Sequence, residues 1–314
     1  MRESMSGKWI KVAAPATISN IGPGFDIFGM ALKDPFDTIE GRIVDSGVVI
    51  SEITGPGADS IPTDPKKNSV GIAASAVLDK CGAEFGLELK IKKGIRPCSG
   101  IGSSGASAAG GAYIAHLLCG EKLTANQVIM CAAMAEDVTS GGLHADNVAP
   151  CILGGFTMIR SYEPFEAVRI EPPKDLGVVV AMPDVLVSTK EARAVLPTEV
   201  PVKSLVFHVG NASCLAHGMA TGDIDLIGRS AKDVVFEPAR AHLIPHIKEA
   251  ESVAMSLGAS ASFLGGSGPC VISLFDKRRL DGTAIADGIK KMYSEKGMKC
   301  DTWVTEWGNG CRRL

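Results

Sequence analysis

The run Pro97-Cys98-Ser99-Gly100-Ile101-Gly102-Ser103-Ser104-Gly105-Ala106-Ser107-Ala108-Ala109-Gly110 limits what this chain can be more than any other stretch. Before it, Leu87, Leu89 and Ile91 alternate with Glu88, Lys90 and Lys92, the period of a half-buried strand, and after it Ala112 to Cys119 form an apolar helical segment. A strand, a glycine loop and a helix in that order bring main-chain N–H groups together at the positive end of the helix, which attracts a phosphate. Gly100, Gly102 and Gly105 have the spacing of a dinucleotide fingerprint, but no acidic residue closes a second strand about 20 residues on. Glu121 sits at a helix exit instead. No Gly-Lys-Ser/Thr follows either, so a metal accompanying the phosphate needs a hydroxyl, Ser103 or Ser104, and a distant carboxylate, for which Glu136 is a candidate. A helix start built only for tight packing has the same composition.

Glycine is in excess, 36 of 314 residues, or about 11% against a usual ~7%, and it clusters beside Ser and Pro, which points to sites made from backbone. The remaining composition, 46% hydrophobic and 21% charged, is that of an ordinary folded chain of one large or two smaller domains. With 32 Lys+Arg against 35 Asp+Glu the net charge is −3, so no basic field attracts nucleic acid or anionic lipid, and neither is expected as a partner. Nine cysteines, an odd number with no CxxC pair, read as buried thiols in a reducing compartment. Met1 to Trp9 is polar, without the apolar stretch of a secretory signal, and no apolar run approaches ~18 residues. No membrane segment and a cytoplasmic location are expected.

Trp9 to Ala14 alternates as a strand, expected to break at Pro15 into the polar loop Asn20-Ile21-Gly22-Pro23-Gly24. Phe36 to Asp45 and Val48 to Ile53 read as further strands. Asn68 caps a predicted helix with an apolar stripe at Val70, Ala73, Ala74, Val77, Leu78 and Cys81, stopped by Gly82. Thr124 and Gln127 form a capping box for a helix that carries Glu136 in its later turns and dissolves into the polar loop 140–147. A strand from Gly177 to Met182 opens a second half, with helical patterns near 203–220, 246–257 and 281–295, and strands at 270–275 and 299–305. Strands and helices mix without regular βαβ repetition, so the expected class is α+β, with domains 1–170 and 171–314.

Three further sets could carry chemistry. Asn20 and Asp26 flank Gly22-Pro23-Gly24, where turn formation alone would explain them. His144, Asp146 and Asn147 either end one helix and begin the next segment or place donors and acceptors at a reacting hydroxyl. Arg193, in Thr189-Lys190-Glu191-Ala192-Arg193, and Arg240, in Glu237-Pro238-Ala239-Arg240, are either solvated surface arginines or guanidinium forks for a carboxylate or phosphate.

Taken together, these stretches resemble the galactokinase, homoserine kinase, mevalonate kinase and phosphomevalonate kinase (GHMP) family of small-molecule kinases. Its three motifs correspond in order to Pro15 to Asp26, Pro97 to Ala109 and Gly265-Gly266-Ser267-Gly268-Pro269. One departure is Gly105, where the family loop commonly has Ala, and it is expected to widen backbone freedom. The resemblance implies a ribosomal-protein-S5-like N-terminal domain, a ferredoxin-like C-terminal domain, and ATP and Mg2+ in the cleft between them. Pro97, Ser99, Gly100, Ile101, Gly102, Ser103, Ser104, Gly105, Ala106 and Ser107 would cradle the triphosphate, and Ser104 with Glu136 would hold the metal.

Within the family, the segments 144–147, 189–193 and 237–240 are similar to those of members that phosphorylate the side-chain hydroxyl of L-homoserine. Asp26, His144, Thr189, Arg193 and Arg240 would then bind the acceptor, with Asn147, Asp146 and Asn20 at the reaction centre and a homodimer as the family habit. Another kinase of the family acting on mevalonate or a sugar, a non-catalytic sensor on the same scaffold, and a dinucleotide oxidoreductase are the competing readings.

Overall fold

In the computed structural model, which describes residues 7–140 and 142–314, β1 (Ile10–Ser19) does not break at Pro15. Met1–Ser6 of the polar N-terminal segment and Gly141 of the loop 140–147 lie outside the described residues. Pro15 sits where the pairing of β1 with β2 (Phe28–Val44) shifts register, between Pro15 and Thr17. A strand tolerates a missing N–H at a bulge, so the chain keeps its direction to Ser19 and delivers Asn20 at the strand end. β2 likewise begins at Phe28, earlier than the expected Phe36.

Among the described residues the first sheet has seven strands, in the order β11 (Arg312–Arg313), β1, β2, β4 (Gly86–Lys92) and β3 (Val48–Thr54), with β5 (Phe156–Tyr162) and β6 (Phe165–Ile170) branching from β2. Of these pairings, that of β3 with β4 is parallel. Three helices pack together beside it: α1 (Ser69–Cys81), α2 (Ser103–Leu118) and α3 (Ala125–Ser140). The Asn68 side chain caps α1, accepting from the Val70 N–H at 2.9 Å, and Thr124 and Gln127 make their reciprocal cap at α3. Helix α2 already starts at Ser103 rather than at Ala112, because its buried Ala106, Ala108, Ala109 and Ala112 let it lie close against β1 and β2.

The second sheet is antiparallel in the order β10-β7-β9-β8: β7 (Leu176–Pro183), β8 (Ala261–Leu264), β9 (Val271–Asp276) and β10 (Cys300–Glu306). Alternation in β7 divides its residues between two cores. Val178 and Val180 face the larger one, with Leu215 and Met219 of α6 (Val202–Thr221) and Ile227 of α7 (Ile224–Ser230), whereas Val179 and Ala181 face Ile247 and Ala250 of α9 (Ile247–Ser256) and Ile285 and Ile289 of α10 (Thr283–Glu295). A strand buried on both faces needs the unbroken apolar run that 178–181 supplies. After β10 the chain returns to the first sheet, where β11 (Arg312–Arg313) pairs antiparallel with Val12 and Ala13.

Helices packed beside two largely antiparallel sheets make this the α+β fold that the sequence predicts. Among the described residues no helix is long and apolar enough to cross a membrane. The cysteines are all free, but Cys98 and Cys214 are exposed and Cys81 half-buried, against the expectation of nine buried thiols. Nothing in their spacing reports burial, and loop 98 and the outer side of α6 face solvent.

One charged pair lies wholly inside. Lys93, just past β4, pairs with Asp37 of β2, both side chains at most 1% exposed. Asp37 also accepts from the Gly94 and Ile95 N–H groups at 2.9 and 3.0 Å. Breaking such a pair from one side leaves an uncompensated buried charge, whereas replacing both partners with apolar residues removes the desolvation cost as well. Lys93→Met is therefore expected to lower unfolding free energy by about 3–5 kcal/mol, and Asp37→Leu combined with Lys93→Met by much less. Urea unfolding of the two variants measures the difference.

Candidate active site

Between the two sheets lies a cleft of about 820 Å3. Its floor is the loop before α2. Gly102, with φ 68°, caps the helix in the left-handed region, and a Cβ there would sit 2.1 Å from Thr17 Oγ1 and 2.7 Å from Asn147 Oδ1. The loop can close on those two side chains only with glycine at this position. Gly105 is different: its φ lies outside the left-handed region, and a Cβ would meet the Asn147 Cβ at 2.8 Å. Its conformation is open to any residue, and what Gly105 provides here is clearance for Asn147.

Pro97, Ser99, Gly100, Gly102, Ser103, Ser104, Gly105 and Ser107 all line the cleft, but Ile101 and Ala106 are buried behind it. The Ala106 N–H is already bonded to Gly102 O at 2.8 Å, and Ile101 O accepts from the Thr17 N–H at 3.2 Å. Ser104 Oγ donates to Glu136 Oε1 at 2.6 Å, joining α2 to α3, and lies 3.2 Å from Ser69 Oγ. The hydroxyl and carboxylate paired by the sequence reading are thus in contact. No cluster of three or more His, Cys, Asp or Glu side chains that could hold a metal occurs among the described residues.

The other wall comes from the ends of β1, the loop after α3 and two short helices, α5 (Thr189–Ala194) and α8 (Phe236–Arg240). Asn147, at the start of α4 (Val148–Leu153), accepts from Thr17 Oγ1 at 2.8 Å and donates to Ser19 Oγ at 3.0 Å, so its amide is tied to the end of β1. Asn20 accepts from the Asp26 N–H at 3.1 Å and donates to Gly266 O at 3.0 Å. Arg240, 3% exposed, donates to the same Gly266 oxygen at 3.2 Å and to Ala192 O at 3.0 Å. Arg193 reaches both Asp26 oxygens at 3.1 Å, and its Nη2 lies 3.4 Å from His144 Nδ1. Phe25 stacks on Phe236 with ring centres 3.9 Å apart and carries both guanidinium groups near its faces. Thr189 lines the same side.

Electrostatics separate the carboxylates. Burial, helped by the negative charge of Asp26, pushes the Asp146 carboxyl up to about 7. Burial lowers the His144 pKa, with Asp26 acting in the opposite sense. Several residues that shape the site were not singled out from sequence. Thr17 and Ser19 look like strand residues, and Lys93 and Asp37 like strand-end charges. Asp233 looks like a turn residue, yet it accepts from the Val235, Phe236 and Glu237 N–H groups at 2.7–2.9 Å and so fixes the start of α8. An Asp shortly before Phe-Glu-Pro-Ala-Arg is a capping signal that could have been read.

Known proteins match this arrangement from end to end. Residues 68–155 match the GHMP kinases N terminal domain and residues 215–295 the GHMP kinases C terminal domain. The chain is 39% identical over 305 residues to a homoserine kinase of Methanococcus maripaludis, covering 97% of this chain and 98% of that protein, and 37% identical over 302 residues to one of Pyrococcus abyssi, covering 96% and 98%. Among solved structures, a homoserine kinase from Cytophaga hutchinsonii is similar with a TM-score of 0.92 and 36% identity over 98% of both chains. A mevalonate kinase of L. major, at 16% identity and a TM-score of 0.70 over 96% of this chain and 97% of that one, shares the fold.

The raised Asp146 pKa has a consequence for stability. The folded protein holds a proton that the unfolded chain releases in the ordinary carboxyl range, so this group's contribution is complete below that range and is lost as pH rises to about 7. Asp146→Asn is expected to flatten the fall in melting temperature between pH 4 and pH 7 and to raise it by a few degrees at pH 8, measured by thermal unfolding across that range.

Proposed function

The chain belongs to the GHMP kinase family, and we propose that it is a homoserine kinase, transferring the γ-phosphoryl group of ATP to the side-chain hydroxyl of L-homoserine. The observation that carries this reading is the convergence of two oppositely charged groups, Asp26 and Arg193, beside a second guanidinium, Arg240, at the end of a phosphate-type loop. L-homoserine presents an ammonium, a carboxylate and a side-chain hydroxyl, and this wall has a partner for each. Mevalonate and sugars lack the ammonium that Asp26 would meet.

The main chain from Ser99 to Ser104 would cradle the triphosphate, with the start of α2 favouring its charge. Ser104 and Glu136 supply one hydroxyl and one carboxylate oxygen already in contact, a hard-oxygen pair that would suit Mg2+. Bound there, Mg2+ would neutralise charge that develops on the phosphate oxygens. Asn147 would orient the accepting hydroxyl, since Thr17 and Ser19 hold its side chain in place. Arg193 and Arg240 would take the carboxylate, Asp26 the ammonium, and Asn20, His144 and Thr189 would complete the acceptor pocket.

Phosphoryl transfer through a loose transition state draws little on deprotonation of the nucleophile. Asp146 would accordingly assist rather than drive the step. A general base contributes ~10²–10⁴-fold, so Asp146→Asn is expected to lose less than about 100-fold in kcat. A larger loss with unchanged homoserine KM would make Asp146 the base. The primary test is ADP release with Mg-ATP against L-homoserine, L-serine, L-threonine, mevalonate and galactose. Strong preference for L-homoserine is expected; turnover of mevalonate or galactose instead would overturn the acceptor, and no turnover at all would leave a sensor.

A further inference from the structure

The two arginines of the acceptor wall are held in different ways. Arg240 is buried, and its Nε and Nη1 are bonded to main-chain carbonyls of Ala192 and Gly266, so its position is preset. Arg193 meets Asp26 through Nη2 alone, which is shared between both carboxylate oxygens. A guanidinium matched to a carboxylate uses two nitrogens in parallel. Here Arg193 Nε is buried with no hydrogen-bond partner among the described residues, and so is His144 Nε2. Burying unpaired polar groups is costly, so the pocket holds binding capacity that this ion pair leaves unused.

We propose that the Arg193–Asp26 pair is an internal stand-in for the two charges of an α-amino acid, opened when a zwitterionic acceptor inserts between its halves. The substrate ammonium then takes Asp26 and its carboxylate takes Arg193, in an exchange that leaves no charge unpaired. The inference rests on the homoserine kinase reading and adds a rule of acceptor class to it. With side chains 35% and 29% exposed, the pair is partly solvated, and such pairs favour the closed arrangement by only roughly fivefold. A hydroxy acid lacking the ammonium can claim Arg193 only by stranding Asp26 beside buried Asp146. An amino alcohol lacking the carboxylate strands Arg193 in turn. Every ligand that enters must open the pair, and a doubly charged one re-pairs both of its halves whereas a singly charged one re-pairs one.

Dissociation constants of L-homoserine, 4-hydroxybutanoate and 3-aminopropan-1-ol, measured by calorimetry on the full chain, test this. On the unaltered protein both analogues are expected to bind about 100-fold or more weakly than L-homoserine, since each leaves one site charge unpaired. In Asp26→Asn, which frees Arg193, 4-hydroxybutanoate should bind roughly fivefold tighter than to the unaltered protein. In Arg193→Gln, which frees Asp26, 3-aminopropan-1-ol should tighten likewise. Unchanged or weaker analogue binding in either variant overturns the proposal alone, as do analogues that match L-homoserine on the unaltered protein. Absence of L-homoserine binding overturns the proposal together with the kinase reading.

Discussion

The ammonium of Lys93 has three hydrogens and three acceptors: the Asp37 carboxylate, Ser107 Oγ at 2.8 Å and the Ser103 carbonyl at 3.3 Å. With its donors spent on protein, this lysine serves the cleft it borders as a brace rather than as a phosphate ligand. Its pairing ties the end of β4 to β2 and to the first turn of α2, and the Asp37 contacts to Gly94 and Ile95 fix the turn that leads into the glycine loop. A loop made of Gly and Ser has no side chains with which to hold its own shape. Its rigidity comes from this neutralised pair beneath it and from the close approach of Asn147 above it.

The second sheet contributes through one carbonyl. Gly266 O, in the turn between β8 and β9, receives both Asn20 from the end of β1 and Arg240 from α8. Behind it, the Glu237 carboxylate accepts from the Leu264 N–H at 2.8 Å, so the helix that carries Arg240 is tied to the strand that presents Gly266. The phosphate side and the acceptor side of the cleft are thus registered against each other by side chains that converge on main-chain groups of the second sheet.

Periodic and capped segments were legible in the sequence because their signals are local. The Asn68 cap, the Thr124–Gln127 box, the stripe on α1 and the run at 178–181 each act over a few residues. The site residues were legible as types: short-range motifs announce a phosphate loop, an amide and paired charges, and the fold brings them to one cleft. Other features needed distance. Asp37 and Lys93 stand 56 positions apart, so nothing local marks either as buried. Helices α5 and α8 span six and five residues, too few for an apolar period to emerge. Pro15 misled because a proline is compatible with a strand only where a bulge interrupts the ladder, and the bulge depends on the partner strand. The clearance that Gly105 gives Asn147 was not legible either, because that residue lies far along the chain.

The pairing of β11 with β1 joins stretches far apart in the chain. From Val12 to Ser19 every residue of β1 is buried, and at Val12 and Ala13 one edge of that strand is matched by Arg312 and Arg313. While the chain is being synthesised, this edge of an apolar strand is made long before its partner, and an open edge of that kind is a template for pairing with other chains. Closing it, together with the Cys311 N–H bond to Cys151 O at 2.6 Å, makes residues 311–313 a clasp on β1.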